Sequence, residues 1–153
     1  MRVKDLSIIV TGAGSGIGEG IAKRLAEEGA AVVVNDVNAE QGERVTAEIV
    51  AAGGKAVFCK ADMTRSDDVQ ALVASAVKAN GRLDVMVNNA GWTHKNQPAL
   101  DVPEDEFDRC YAVNVKSIYL STIHAVPEFR RNGGGAFINI ASTAGVRPRP
   151  GLT

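Results

Sequence analysis

Four glycines fall within seven positions in the run Thr11-Gly12-Ala13-Gly14-Ser15-Gly16-Ile17-Gly18. Residues without a Cβ let backbone N–H groups approach a pyrophosphate closely, and a helix opening in that run adds the positive end of its dipole. The pattern is TGxxxGxG, wider than GxGxxG, because Ile17 stands where a third glycine would be. A tight strand-to-helix turn using glycine for positive φ is the plain alternative, although four glycines exceed what a turn needs. Further on, Asp36 closes an apolar run. A carboxylate there can accept hydrogen bonds from both hydroxyls of an adenosine ribose and repels a 2′-phosphate. No Lys or Arg in the loop or immediately after Asp36 would neutralise that phosphate, so NAD is the expected cofactor and NADP the less favoured one. The alternative for Asp36 is a cap on the following turn.

These residues need strands and helices to place them. Five β-branched or apolar runs read as strands: Ser7–Thr11, Ala31–Asp36, Lys55–Ala61, Leu83–Asn88 and Ala136–Ala141. Near-continuous apolar stretches such as Ile8-Ile9-Val10 and Val32-Val33-Val34 suit strands buried on both faces of a parallel sheet. Between them lie helical patterns. Ile17, Ile21 and Leu25 share one face of the first, and Asn38 with Gln41 resembles a capping box opening the second, whose core face carries Val45 and Ile49. Val69, Leu72, Val73, Ala76 and Val77 mark the third. Pro103 with Glu104 and Asp105 predicts the start of a fourth helix running to about Arg131, with a kink or early end at Pro127. The β-α alternation predicts a doubly wound α/β sheet of Rossmann type with right-handed crossovers and strand order 3-2-1-4-5, in one domain over residues 1–153. The segment from Arg147 to Thr153 reads as a loop leaving the fifth strand.

Composition narrows the function classes. The chain has 153 residues, 45% hydrophobic and 23% charged, an ordinary globular balance. Seventeen Lys and Arg against eighteen Asp and Glu leave a net charge of −1, so no basic excess exists to bind nucleic acid. No aliphatic run is long enough to cross a bilayer, and the start lacks the apolar stretch of a signal peptide, so no membrane partner is expected. Cys59 and Cys110 form no CxxC pair, which fits a reducing cytoplasm. His94 and His124 make no metal or triad spacing, and no metal site is expected. Cys110, within a predicted helix, reads as core rather than nucleophile.

With its motifs in this order, the sequence resembles the short-chain dehydrogenase/reductase family over essentially its whole length. The matching features are TGxxxGxG at Thr11–Gly18, Asp62 after the third strand, Asn88-Asn89-Ala90-Gly91 after the fourth, Asn114 in the fourth helix and Ser142 after the fifth strand. The resemblance implies that Gly12, Ser15, Gly16, Ile17, Gly18 and Asp36 hold the cofactor, and that Asp62 with the Met63 backbone holds its adenine. It also implies that Asn88, Ala90 and Gly91 line the cleft and tie the central strands. Ser142 would hydrogen-bond the substrate oxygen, and Asn114 would anchor a water in a proton relay. In the family a tyrosine exchanges the substrate proton, and a lysine four residues later lowers its pKa.

The residues themselves bear on these roles. Asn114 falls with Phe107, Tyr111 and Ile118 on one helical face, and burying it there requires partners, whether a relay or a structural bridge to backbone. Ser142 follows a predicted buried strand at its carboxyl end, where doubly wound folds place ligands, and a plain turn serine is the alternative. Trp92 suits a substrate lip or ordinary loop packing. The family's Tyr-x-x-x-Lys would begin just past Thr153; Tyr111 is followed four residues on by Val115, and Tyr119 by Ile123.

The expectation is therefore an NAD-dependent oxidoreductase passing hydride between nicotinamide and a carbonyl or secondary alcohol, seen as its cofactor-binding N-terminal part, truncated after the fifth strand and inactive alone. A non-catalytic dinucleotide-binding or interaction module ending at Thr153 is the second reading. The substrate is a small molecule that the sequence does not identify; the wording resembles the 3-oxoacyl-carrier-protein reductase and polyol dehydrogenase branches of the family, which is analogy only. In the family the fourth helix helps build the subunit interface, implying a homo-oligomer, a tetramer or dimer, when complete. An open fifth strand and the outer helix face at Val115, Tyr119, Thr122 and Val126 predict self-association of a 153-residue product.

Overall fold

In the computed structural model, which describes residues 1–147 and 150–151, side chains alternate across each central strand and so feed two separate cores. Strand β1 (Ser7–Val10) sends Ile8 and Val10 to one side and Ile9 to the other. Strand β2 (Ala31–Asp36) does the same with Val32 and Val34 against Val33. Helices α1 (Gly16–Glu27) and α2 (Ala39–Ala51) close the first core with Ala22, Ala26, Val45 and Ile49. Helix α3 (Ser66–Asn80) and a later helix close the second, where Val69, Leu72, Leu120 and Phe129 meet Ile9 and Met86. Each fully buried Ile, Leu or Val side chain contributes roughly 1.5–3 kcal/mol, so these layers hold the helices against both faces of the sheet.

Strands β3 (Lys55–Lys60), β4 (Val85–Asn88) and β5 (Ala136–Asn139) complete one parallel sheet of order β3-β2-β1-β4-β5. This is the doubly wound Rossmann-type sheet that the β-α alternation predicts. The switch point lies between β1 and β4, which pair directly through Ile9 and Met86, and the loops after both strands open there. Asn38 caps α2 by accepting the Gln41 N–H at 3.2 Å, the half of the expected capping box that forms.

Several expectations are corrected. Ile17 is 70% exposed, and the face of α1 against the sheet is Gly18, Ala22 and Ala26, with Ile21 and Leu25 only partly buried. Small residues let α1 approach β1 closely, which leaves no room for Ile17 underneath. The fourth helix is not uniform: α4 (Glu104–Tyr111) passes through a π turn (Ala112–Lys116) into α5 (Ser117–Arg131), which continues through Pro127. Pro103 precedes the first helical residue rather than occupying it. Strand β5 is not buried on both faces: Ile138 is 47% exposed and Phe137 alone is partly covered, edge-on to Phe129 at 5.1 Å. Among the described residues it is the sheet's edge, as the strand order predicts. The final segment forms a single 3₁₀ turn (Thr143–Gly145), and Gly151 accepts the Gln97 N–H at 3.1 Å; Pro148, Arg149, Leu152 and Thr153, part of the expected loop, lie outside the described residues.

Candidate functional site

At the carboxyl ends of β1, β2 and β4 the chain encloses a cleft of about 720 Å³, within the range of small-molecule sites. Its floor is the glycine-rich loop. Gly12 and Gly16 have φ of 60° and 56°, conformations that favour glycine, and a Cβ on Gly16 would meet nothing within 4 Å. At two other positions the need is close approach. A Cβ on Gly14 would lie 2.8 Å from Asp36 Oδ2, and one on Gly18 would lie 2.2 Å from the Gly12 carbonyl oxygen. The glycines therefore serve more than a turn.

Helix α1 opens at the cleft without a side-chain cap, since the Ser15 hydroxyl makes no capping bond. The N–H groups of its first turn have no intrahelical acceptors, and together with the dipole they favour an anion in front of them. Ile17 and Val37, 70% and 59% exposed, form apolar walls. An uncapped helix start, a glycine facing open space and exposed aliphatic walls fit a ligand carrying a pyrophosphate and a flat ring system.

Two clamps hold the loop. Thr11 Oγ1 donates to the Val87 carbonyl at 3.3 Å and accepts from the Asn89 and Ala90 N–H groups at 3.0 and 2.9 Å. The Asn89 carboxamide donates to the Thr11 and Gly12 carbonyls at 2.8 and 3.2 Å. On the other side, Asp36 Oδ2 accepts the Gly14 N–H and Oδ1 the Asn38 N–H, both at 2.9 Å. Asp36 thus caps its own turn and the loop together. Each carboxylate oxygen can accept more than one hydrogen bond, so acceptor capacity remains toward the cleft.

Ten of the eleven expected cofactor residues line this cleft: Gly12, Ser15, Gly16, Ile17, Gly18, Asp36, Asp62, Met63, Ala90 and Gly91. Asn88 is the exception. Its carboxamide donates to Asn139 Oδ1 at 2.8 Å, tying β4 to β5 while the next residue, Asn89, turns to the loop. Two consecutive asparagines at a strand end must face opposite ways, and that alternation is the signal by which Asn89 could have been found. Asp62 Oδ1 accepts the N–H and hydroxyl of Thr64 at 2.9 and 2.8 Å, which shapes the far wall, and Met63 is buried at 4%. Asn35, also unforeseen, lies at 1% exposure and donates to the Cys59 and Ala61 carbonyls, joining β2 to β3 at the cleft.

The two expected catalytic residues do not line the cleft. Asn114 is exposed rather than buried, as are Phe107 and Tyr111 on the same face. It sits in the π turn, and its carboxamide bridges one backbone residue: Oδ1 accepts the Trp92 N–H at 2.9 Å and Nδ2 donates to the Trp92 carbonyl at 2.7 Å. The bridge fixes Trp92, whose ring lines the cleft mouth with the Arg109 guanidinium 4.3 Å from its centroid. Ser142 is exposed and accepts the Ala144 N–H at 3.1 Å, the local role of a turn serine. His124 pairs with the Ser66 hydroxyl at 2.9 Å and buried His94 with the Lys95 carbonyl at 2.6 Å, while Cys110 is half-buried. Among the described residues no group of three or more His, Cys, Asp or Glu is placed to hold a metal, and no helix is long and apolar enough to cross a membrane.

Charge is organised behind the loop. Glu19 and Lys23 of α1 interlock with Arg44 and Glu48 of α2 through ion pairs of 2.6 and 2.8 Å. The Arg44 guanidinium, with Lys23, holds the Glu19 carboxyl down to about 2.

This geometry has close counterparts. The chain is 52% identical, over its full length, to 4-formylbenzenesulfonate dehydrogenase of Comamonas testosteroni, of which it spans 61%. Among solved structures, a 7α-hydroxysteroid dehydrogenase complexed with NADH and 7-oxo glycochenodeoxycholic acid superposes with a TM-score of 0.92 at 38% identity, covering 97% of this chain and 58% of that one. A 3-ketoacyl-(acyl-carrier-protein) reductase of Brucella melitensis complexed with NADH gives a TM-score of 0.92 at 44% identity, covering 98% and 62%. The chain thus spans about three fifths of the length of the relatives it matches. The family model described as short chain dehydrogenase matches residues 7–153, and the chain belongs to the short-chain dehydrogenase family.

Proposed function

We propose that the cleft binds NAD(H) and that the protein is an oxidoreductase passing hydride between nicotinamide and a carbonyl or secondary alcohol of a small-molecule substrate. The observation that carries this reading is the glycine-rich loop held against Asp36, with an uncapped helix start and Gly16 facing open space. Gly12, Ser15, Gly16, Ile17 and Gly18 would receive the pyrophosphate, Asp36 the adenosine ribose, and Asp62 with Met63 the adenine. Ala90 and Gly91 would form the wall beneath the remaining half. When bound, the nicotinamide supplies the hydride. Ser142 would orient the substrate oxygen, and Asn114, by fixing Trp92, would set the mouth of the site as well as anchor a water.

NAD is favoured over NADP because the Asp36 carboxylate, held at the cleft by two N–H groups, would repel a 2′-phosphate, with no Lys or Arg immediately after it to neutralise that charge. Removing the carboxylate in Asp36→Ala should weaken NADH and lower the NADH-to-NADPH affinity ratio by about tenfold or more, measured by fluorescence titration of both. An unchanged ratio would refute the assignment. Free Cys59 and Cys110 support a cytoplasmic setting. Exposed Phe107, Tyr111, Val115 and Tyr119, four residues apart along one helical stripe, support a homo-oligomer, since an apolar stripe of that length favours burial.

A second reading, cofactor binding without turnover, draws support from one observation. Ser142 and Asn114 are both engaged locally, Ser142 with the Ala144 N–H and Asn114 with the Trp92 backbone.

A further inference from the structure

We propose that Arg44 is a positioning residue for the dinucleotide, holding the glycine-rich loop in its binding shape from the α2 side. The inference rests on the reading of the cleft given above. Gly14 is gripped by both of its backbone polar groups. Its N–H donates to Asp36 Oδ2 at 2.9 Å, and its carbonyl accepts from Arg44 Nη2 at 3.1 Å. With both bonds in place, the peptide planes on either side of Gly14 are each held, and rotation about its φ and ψ is restricted more than by either bond alone.

The second bond reaches the ligand side directly. The Gly14 carbonyl and the Ser15 N–H belong to one planar trans peptide, and all the peptide bonds among the described residues are trans. Drawing the carbonyl toward α2 therefore turns the Ser15 N–H the opposite way, at the residue that opens α1 and lines the cleft. Arg44 never needs to touch the cofactor to set this donor.

Arginine suits the position for a reason that lysine does not share. Its planar fork serves three elements at once: Glu19 of α1 at 2.8 Å, Glu48 of α2 at 2.8 Å and the loop carbonyl. A lysine ammonium in the same place can pair with the two carboxylates, as Lys23 already does, but lacks the fixed geometry to reach Gly14 as well. The two carboxylates also raise the Arg44 guanidinium's own affinity for its proton, Glu19 foremost.

The test titrates NADH, ADP and adenosine against the full chain as wild type, Arg44→Met and Arg44→Lys, with melting temperatures recorded alongside. ADP carries a pyrophosphate and adenosine carries none. Arg44→Met should weaken NADH and ADP by about tenfold and adenosine by less than about twofold. Arg44→Lys should melt close to the wild type, because its ion pairs survive, yet still weaken NADH by about threefold. A merely structural ion-pair role would move all three ligands together with the melting temperature and be rescued by lysine, and either result overturns the inference. So does wild-type NADH affinity in Arg44→Met. Failure of the wild type itself to bind NADH overturns the reading of the cleft, and the inference with it.

Discussion

Strands β1 and β5 stand two places apart in the same sheet and carry similar sequences, Ser-Ile-Ile-Val and Ala-Phe-Ile-Asn, yet every residue of β1 is buried and only Phe137 of β5 is even partly so. The difference lies in the neighbours. β1 has a strand on each side and helices on both faces, whereas β5, among the described residues, pairs with β4 alone. The same contrast runs through the helices: α1 and α2 bury Ala22, Val45 and Ile49, while the stripe from Phe107 to Tyr119 is open to solvent. One end of the molecule is closed on itself and positions a cleft; the other presents apolar surface.

The sharpest way to break that contrast is to delete the same atoms in both places. Ile9 is fully buried between layers, so Ile9→Ala leaves a cavity and should destabilise by about 3 kcal/mol. Ile138→Ala, at a residue already 47% exposed, should cost about 1 kcal/mol or less. Denaturant unfolding of both variants, compared at unchanged m-value, checks this. Equal costs would mean that β5 is buried in solution and that the two ends do not differ.

A smaller effect should separate the ends by pH. Glu19 has its carboxyl depressed to about 2 by Arg44 first and Lys23 second, from an ordinary 4.5. A group with a lowered folded pKa contributes stability that is complete above its unfolded pKa and is lost as pH falls toward the folded value. The ion-pair contribution of the α1–α2 lattice is therefore complete near pH 5 and fades between about 4.5 and 2. Glu19→Gln should be less stable than wild type at neutral pH, with the gap closing across that window. A gap that stays constant down to the lower limit would show that Glu19 acts through packing and not charge. High salt should narrow it at neutral pH, because these side chains are partly solvated.

Much of this organisation is legible in the sequence, for identifiable reasons. Strand order follows from β-α alternation, since right-handed crossovers leave few other arrangements. The cleft is legible because its glycines and Asp36 are close in sequence and each has a local geometric duty. What escapes sequence reading depends on direction or on distant neighbours. Ile17 follows the same periodicity as Ile21 and Leu25, and only the close packing of Gly18 and Ala22 on the sheet turns it outward. Asn88 and Asn89 are identical in type, and the strand's pleat decides which one meets the loop. The π turn at Ala112–Lys116 leaves the apolar pattern almost undisturbed, so Asn114 is read as lying in a buried stripe when it is exposed and bridging Trp92. Arg44 is invisible because its partners Glu19 and Gly14 lie on other elements.

The smallest expected effect concerns the one glycine of α1 for which the closed end has no use. Gly18 and Gly20 both lie in α1, two positions apart. A Cβ on Gly18 would strike the Gly12 carbonyl at 2.2 Å and the Asn89 carboxamide at 2.5 Å, so alanine there must displace the loop. A Cβ on Gly20 would meet nothing within 4 Å. Glycine inside a helix is less favourable than alanine by up to about 1 kcal/mol, mostly because the unfolded chain loses freedom when alanine replaces it. Gly20→Ala should therefore raise stability by about 0.5–1 kcal/mol and leave NADH affinity within about twofold, because the substituted atom points away from both the sheet and the cleft. Calorimetric melting together with an NADH titration reads both quantities. A loss of stability would mean that something in solution packs against that face of α1, and a loss of affinity alone would mean that the first two turns of the helix must flex for the loop to receive its ligand.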